Sequence, residues 1–340
     1  MKTEQIQTLN YCTRAIEDIK EMRNKIRDSM PQTAEVYRRL IEMLEQSVKF
    51  ILPNCCNLVA ANEFKQEHLN LMKLPYPLVA FEAPWETEED SLIKSGEFKQ
   101  QTSNKRISLC WEASPKYELL PGLNNVLSSF PEGGIFVVPI YWMSDHQGWF
   151  VGMGGCFVPY KNEVFQRKTE ESPPASQLAN QASIDAGLAK EDALHYRAEP
   201  FYLLPEFFHR AVNNAGGNTD TVFAHMLLDS RDETGMMVQA CSVLNCANVT
   251  TGIIDPPIAL NKKRAAKGKK PLFSYHVLQL VVGKGDKSES AGGNHASPRM
   301  HLRRGHLRRL ETKTVWVRPA MINIGSNSGS VAKDYSIVKR

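Results

Sequence analysis

The chain lacks any long apolar run. The longest, GGIFVVPIYWM at residues 133–143, is too short to cross a bilayer as a helix, so no membrane association is expected. It also lacks paired-thiol motifs. Seven cysteines (Cys12, Cys55, Cys56, Cys110, Cys156, Cys241 and Cys246) are odd in number and scattered, with no CxxC pair and no CxxC…HxxxH spacing. That pattern argues against a zinc finger or a disulfide framework and fits reduced thiols in a cytoplasm. The opening stretch, MKTEQIQTLNYCTRAIEDIKEMRNKIRD, has no secretory-signal pattern and reads as a charged amphipathic helix.

Acidic side chains are scarce at one end. Residues 261–340 hold 18 Lys and Arg against 4 Asp and Glu, whereas the first 260 residues hold 23 against 33. The overall charge of +4 therefore conceals a C-terminal part of +14 and a body of −10. Such asymmetry suits a polyanionic partner, most often nucleic acid; equally, the acidic body and basic end can neutralise each other within the molecule.

What is present is ordinary globular composition: 340 residues, 42% hydrophobic and 23% charged, with five tryptophans. That length suggests about two domains, although one large domain is possible. Apolar residues recur at helical spacing over residues 3–28. A second helix is expected after Pro31, where Val36, Leu40, Leu44, Val48 and Ile51 share a face up to Pro53, and a third over residues 57–72. After LPYP the texture changes to short strands, LVAFEA, RISLCWEA, GIFVVPIYW and WFVGMGGCFVPY. Residues 167–192 have few large apolar side chains and read as an exposed linker whose tail can form a marginal helix. Residues 220–246 read as helical, with a break at Gly235. The expectation is an α+β protein. It has a helical N-terminal unit (1–75), a mixed β-sheet body (76–245) and a basic, β-rich C-terminal part (246–340).

Two basic stretches carry the candidate site. NKKRAAKGKK supplies Lys262, Lys263, Arg264, Lys267, Lys269 and Lys270, read as a loop before a strand at Leu272 to Val282. HASPRMHLRRGHLRRL, residues 295–310, packs three histidines and five arginines around Gly305, with no carboxylate until Glu311. A following strand, TVWVRPAMI, gives hairpin spacing. Strand alternation puts His301 and Arg303 on one face and Arg304, His306 and Arg308 on the other, so neither face is apolar through the centre; Gly305 suggests a bulge or a close backbone approach.

Arginine forks bind phosphate in pairs, which assigns Arg299, Arg303, Arg304, Arg308 and Arg309 to a nucleic-acid-binding role beside the lysines. Trp316 is a candidate base-stacking platform, with Tyr275 and His276 on strands nearby. His301 and His306 can transfer protons near neutral pH, so metal-independent cleavage of RNA, whose 2′-hydroxyl supplies the nucleophile, is a second reading. A third is a protein-binding module docking an acidic surface. No metal site is expected, since His295, His301 and His306 have no thiolate or carboxylate nearby; no cofactor is implied.

Several of these segments have a familiar pattern. LNKKRAAKGKKPLFSYHVL, HASPRMHLRRGHLRRL, VWVRPAMINIG and VAKDY, with an H-x-R-R-G-H core followed by W-x-x-P, resemble the C-terminus of the phage-borne type V-A anti-CRISPR family. LPYPLVAFEA is similar upstream. The resemblance covers the last quarter of the chain and reaches His301, Arg303, Arg304, Gly305, His306, Trp316 and Pro319, with leucine at 307 where that family has an aromatic. It implies a phage or mobile-element effector in the bacterial cytoplasm that engages RNA, or the ribosome and nascent chain, and promotes loss of a target message. The acidic body would then select a host protein client.

Overall fold

The computed structural model describes residues 8–59, 64–86, 103–167, 172–282, 301–303, 306–310, 313–317, 320–322 and 336–339. Two antiparallel helices begin the chain, α1 (Tyr11–Ile26) and α2 (Pro31–Gln46). Their apolar stripes, Cys12, Ala15, Ile16 and Ile19 on α1 and Tyr37, Leu40, Met43 and Leu44 on α2, are buried. Neither helix has a local side-chain cap; carboxylates from distant segments serve instead. Glu82 accepts from the amides of Tyr11 (3.0 Å) and Cys12 (2.7 Å), and Glu206 accepts from those of Gln32 and Thr33 (2.9 Å each).

The second helix stops earlier than its spacing predicts. Ser47 is extended (φ −61°, ψ 147°), and Val48–Ile51 forms strand β1. Val48 and Ile51 sit at helical spacing, but VKFI is also a β-branched and aromatic run, and β1 gains parallel partners on both sides. Buried Lys49 makes this compatible by donating to the carbonyls of Glu45 (3.1 Å) and Ser47 (2.6 Å) at the end of α2. The expected third helix reduces to α3 (Gln66–Asn70), preceded by a tight turn in which Cys55 and Cys56 both have positive φ; residues 60–63 lie outside the described residues.

Among the described residues, nine further strands and four helices make up the body and its continuation. They are β2 (Leu78–Pro84), β3 (Lys105–Glu112), β4 (Gly134–Met143), β5 (Gly148–Val151), β6 (Gly154–Pro159), β7 (Val164–Gln166), α4 (Pro174–Asp185), β8 (Leu194–Tyr196), β9 (Glu199–Tyr202), α5 (Pro205–Asn214), α6 (Thr219–Asp229), α7 (Arg231–Leu244) and β10 (Val249–Ile254). The C-terminal elements are α8 (Ile258–Ala266), β11 (Tyr275–Val282), β12 (His301–Arg303), β13 (His306–Arg309), β14 (Thr314–Val317), β15 (Ala320–Ile322) and β16 (Ser336–Lys339).

The order β10-β11-β1-β2-β3-β4-β6-β9, with β16 on β11 and β5 on β4, makes one ten-stranded mixed sheet in an α+β fold. Pairs β11-β1, β1-β2 and β11-β16 are parallel and the rest antiparallel. Strands from all three segments outlined above lie in this sheet. Both its faces are covered, as continuous apolar strands require. Ala80, Ile107, Leu109, Phe136 and Val138 pack with α1 and α2, while Val79, Phe81, Cys110 and Val137 pack with α7.

Two regions depart from pattern reading. Residues 167–192 are not simply exposed linker: Ala175, Ala179 and Ala182 of α4 are buried, with Ala179 and Ala182 packed against Ala224 and Leu228 of α6. Alanine gives a weak hydrophobic signal but permits close helix approach. Over 220–246 the break falls at buried Ser230, between α6 and α7, rather than at Gly235. The Ser230 hydroxyl donates to the Met226 carbonyl (2.6 Å), and open space surrounds the position a Gly235 side chain would take.

Candidate functional site

The first part of NKKRAAKGKK forms helix, not loop: α8 carries the first three of its cations, none of its residues is buried, and the segment beyond it carries Lys267, Lys269 and Lys270. Part of its charge is neutralised within the molecule. Arg264 donates Nη2 to Glu17 (3.0 Å) and Nε to the Lys270 carbonyl (2.7 Å), and Lys270 pairs with Glu45 of α2. Asn261 clasps the Leu272 backbone through both its carbonyl and amide groups (2.7 and 3.2 Å), and the Lys49 ammonium lies 3.8 Å from the Phe273 ring. Arg264 and Lys270 are therefore fastened to the helical layer. Lys262, Lys263, Lys267 and Lys269 are exposed, and no ion pair engages them among the described residues.

The histidine and arginine motif forms an antiparallel hairpin. Its register runs His301↔Ile322 and Arg303↔Ala320 in β12 and β15, then His306↔Val317 and Arg309↔Thr314 in β13 and β14. Two residues on each strand separate the paired stretches. The bulge or close backbone approach expected at Gly305 lies outside the described residues. Arg299, Arg304 and Gly305 lie outside the described residues, as do His295 and Pro319. His301, Arg303 and His306 are placed by their backbones alone, within β12 and β13.

Trp316 is not a stacking platform. It is buried, its Nε1 donates to the Leu58 carbonyl (3.2 Å), and its cross-strand partner Leu307 packs against the same core. Asn248 completes the anchor by accepting from the Trp316 amide and donating to its carbonyl, at 2.8 Å each. A base cannot reach a ring in that position without unpacking the core. Contrary to the reading that this motif has no core-facing side, β13 is half-buried through Leu307 and presents Arg308 and Arg309 to solvent. Tyr275 is equally inaccessible, with its hydroxyl donated to Glu82 (2.8 Å). His276 lies between Phe50 and Tyr76, with its pKa lowered by burial.

The free cations thus form two groups. Arg308 and Arg309 flank the start of β10, beside Asn248, while the lysines of α8 follow its end. The six-residue strand β10 lies between these two attachment points in the chain.

Sequence reading missed a buried ionic cluster. Arg106 of β3 is sandwiched between the Trp85 ring (5.0 Å) and two acids of α7, Asp232 (3.0 Å) and Glu233 (2.9 Å). Arg231 also reaches Asp232 (3.1 Å). Burial pushes the neighbouring Asp229 carboxyl up to about 7, and Glu233 adds to the effect. Burial likewise raises Glu233; for Asp232 the two guanidiniums outweigh burial and hold the pKa low. The DSRDETG run looks like a solvated helix face, and no periodicity within it signals a partner such as Arg106, 127 residues from Glu233. Among the described residues no group of three or more His, Cys, Asp or Glu is arranged to hold a metal ion, and no helix is long and apolar enough to cross a membrane.

No protein-family model, curated protein or solved structure matches the chain.

Proposed function

We propose that the protein binds RNA through its basic C-terminal part, using two patches that flank β10. One patch is Lys262, Lys263, Lys267 and Lys269; the other is Arg308 and Arg309. The observation that carries this reading is that these six side chains are exposed and none forms an ion pair among the described residues, although acidic partners engage Arg264 and Lys270 a few residues away. Cations left open beside neutralised ones suit a polyanion that spans both patches. The more specific form, an effector that meets RNA at the translating ribosome and lowers expression of a host target chosen by the acidic body, rests on the family resemblance.

The test is fluorescence anisotropy of a labelled single-stranded RNA titrated at several salt concentrations. Each phosphate neutralised contributes about −0.7 to the log-log slope, so six contacts give a slope near −4, and Lys262→Glu with Lys263→Glu reduces it by more than one. A salt-independent affinity refutes the proposal. Gel analysis of the same RNA after long incubation separates binding from cleavage by His301 and His306.

A further inference from the structure

A cavity of about 80 Å³ opens between the β7-β8 hairpin, α4 and α7, lined among others by Arg167, Ser176, Asn180, His195 and Arg231. Arg167 is held firmly. Its amide donates to the Ala193 carbonyl (2.9 Å), and its own carbonyl accepts from Asn180 Nδ2 (3.0 Å). Its guanidinium donates Nη1 to Asn180 Oδ1 (3.0 Å) and Nη2 to His195 Nδ1 (3.3 Å), while Nε is buried without a partner.

Every one of those partners is neutral, and no carboxylate pairs with Arg167 among the described residues. The charged neighbour on this side is a second cation, Arg231, whose own acid, Asp232, is shared with Arg106. Burial, with Arg231 adding to it, lowers the Arg167 pKa. Glu199 also lines the cavity but is engaged by Arg197. Holding a guanidinium at a half-buried position carries a desolvation cost that proteins ordinarily meet with a counter-ion, and among the described residues Arg167 has only neutral partners. His195 fits the same role. Because Nδ1 accepts from Arg167, the ring proton sits on Nε2, and burial, then Arg167, pushes its pKa down to about 3, so it stays a neutral donor at physiological pH. The volume lies between the ~30 Å³ share of one water and the ~150 Å³ that accepts benzene, which suits a tetrahedral oxyanion.

We propose that this cavity binds a phosphate group, held by Arg167 with Arg231, His195 and the Ser176 hydroxyl around it. The group is either free phosphate or the phosphomonoester end of a larger molecule. The experiment is calorimetric titration and thermal unfolding of the full chain in chloride buffer with inorganic phosphate, sodium acetate, and a dinucleotide with or without a 5′-phosphate. Saturable phosphate binding that weakens about 10- to 100-fold in Arg167→Met is expected, the loss of a charge-assisted hydrogen-bonding group. Arg167→Met should unfold no lower than the parent chain in chloride alone, because it removes an unpaired charge, and Lys190→Gln on the nearby surface should bind phosphate normally. Competition by the 5′-phosphorylated dinucleotide alone identifies a phosphomonoester; binding of phosphate without such competition identifies the free ion. Absence of saturable phosphate binding, an equal response to acetate, or an unchanged response in Arg167→Met overturns the proposal.

Discussion

Replacing Asp229 by asparagine should stabilise the protein at alkaline pH and leave it nearly unchanged in acid. The carboxyl ordinarily titrates near 3.8 and is raised to about 7, first by burial and then by Glu233. In the pH range between those values the folded protein keeps this proton while the unfolded chain loses it, so stability from this group is full below about 4 and falls as pH rises towards 7. Above 7 the folded state holds an ionised carboxylate in a buried site. Two of those pH units lie between pH 5 and 7, at 1.36 kcal/mol each, giving an upper limit of about 3 kcal/mol. Asp229 is only half-buried, and solvent screening reduces the effect, so about 2 kcal/mol is the working figure. Asparagine resembles the protonated acid and carries no charge, so the stability difference between variant and parent should grow by that amount between pH 5 and pH 8. Urea unfolding midpoints at the two pH values measure it. The same difference at both pH values would show that Asp229 titrates normally and that the account of this cluster is wrong.

Other perturbations separate structural from binding roles. Trp316→Ala should cost about 3–5 kcal/mol of stability, as large aromatic truncations in a core do, measured by denaturant unfolding; a normal stability with lost RNA binding would make the ring a platform after all. Arg106→Met should be strongly destabilising, about 3–5 kcal/mol, because Glu233 and Asp232 lose their buried partner, and an unchanged thermal midpoint would contradict that. Glu82→Gln should lower stability by about 1–2 kcal/mol, since one amide oxygen replaces two carboxylate oxygens at the start of α1 and at Tyr275. Retention of the parent midpoint would show that the cap is dispensable. Lys262→Glu with Lys263→Glu should leave the unfolding midpoint within about 0.5 kcal/mol of the parent, as exposed substitutions do.

Much of the element inventory was legible. The stripes of α1 and α2, the strands from LVAFEA to GCFVP, and the hairpin around HLRR each follow from periodicity that local sterics enforce. The errors share a cause. Val48 to Ile51 left the helix because two strands far away in sequence were there to pair with it. Residues 174–185 were hidden because alanine contacts carry little hydrophobic signal, and the α6-α7 break went to Ser230 because its hydroxyl could satisfy the turn. At the candidate site, charge was legible and accessibility was not. Arg264, Lys270 and Trp316 look the same in sequence as Lys262, Lys263 and Arg308, yet the first three are committed to the fold.

By itself, then, the sequence determined the α+β composition, the polarity of an acidic body and a basic end, and the absence of a membrane-length apolar run. These are sums over residue types or patterns within a dozen positions. Only the tertiary structure decided that β1 and β11 join one sheet, that Glu82 and Glu206 cap helices that have no caps of their own, that half-buried Arg167 is held by neutral partners among the described residues, and which cations remain open. Each of those depends on groups separated by tens to hundreds of residues, and burial and pairing are properties of what folding brings together.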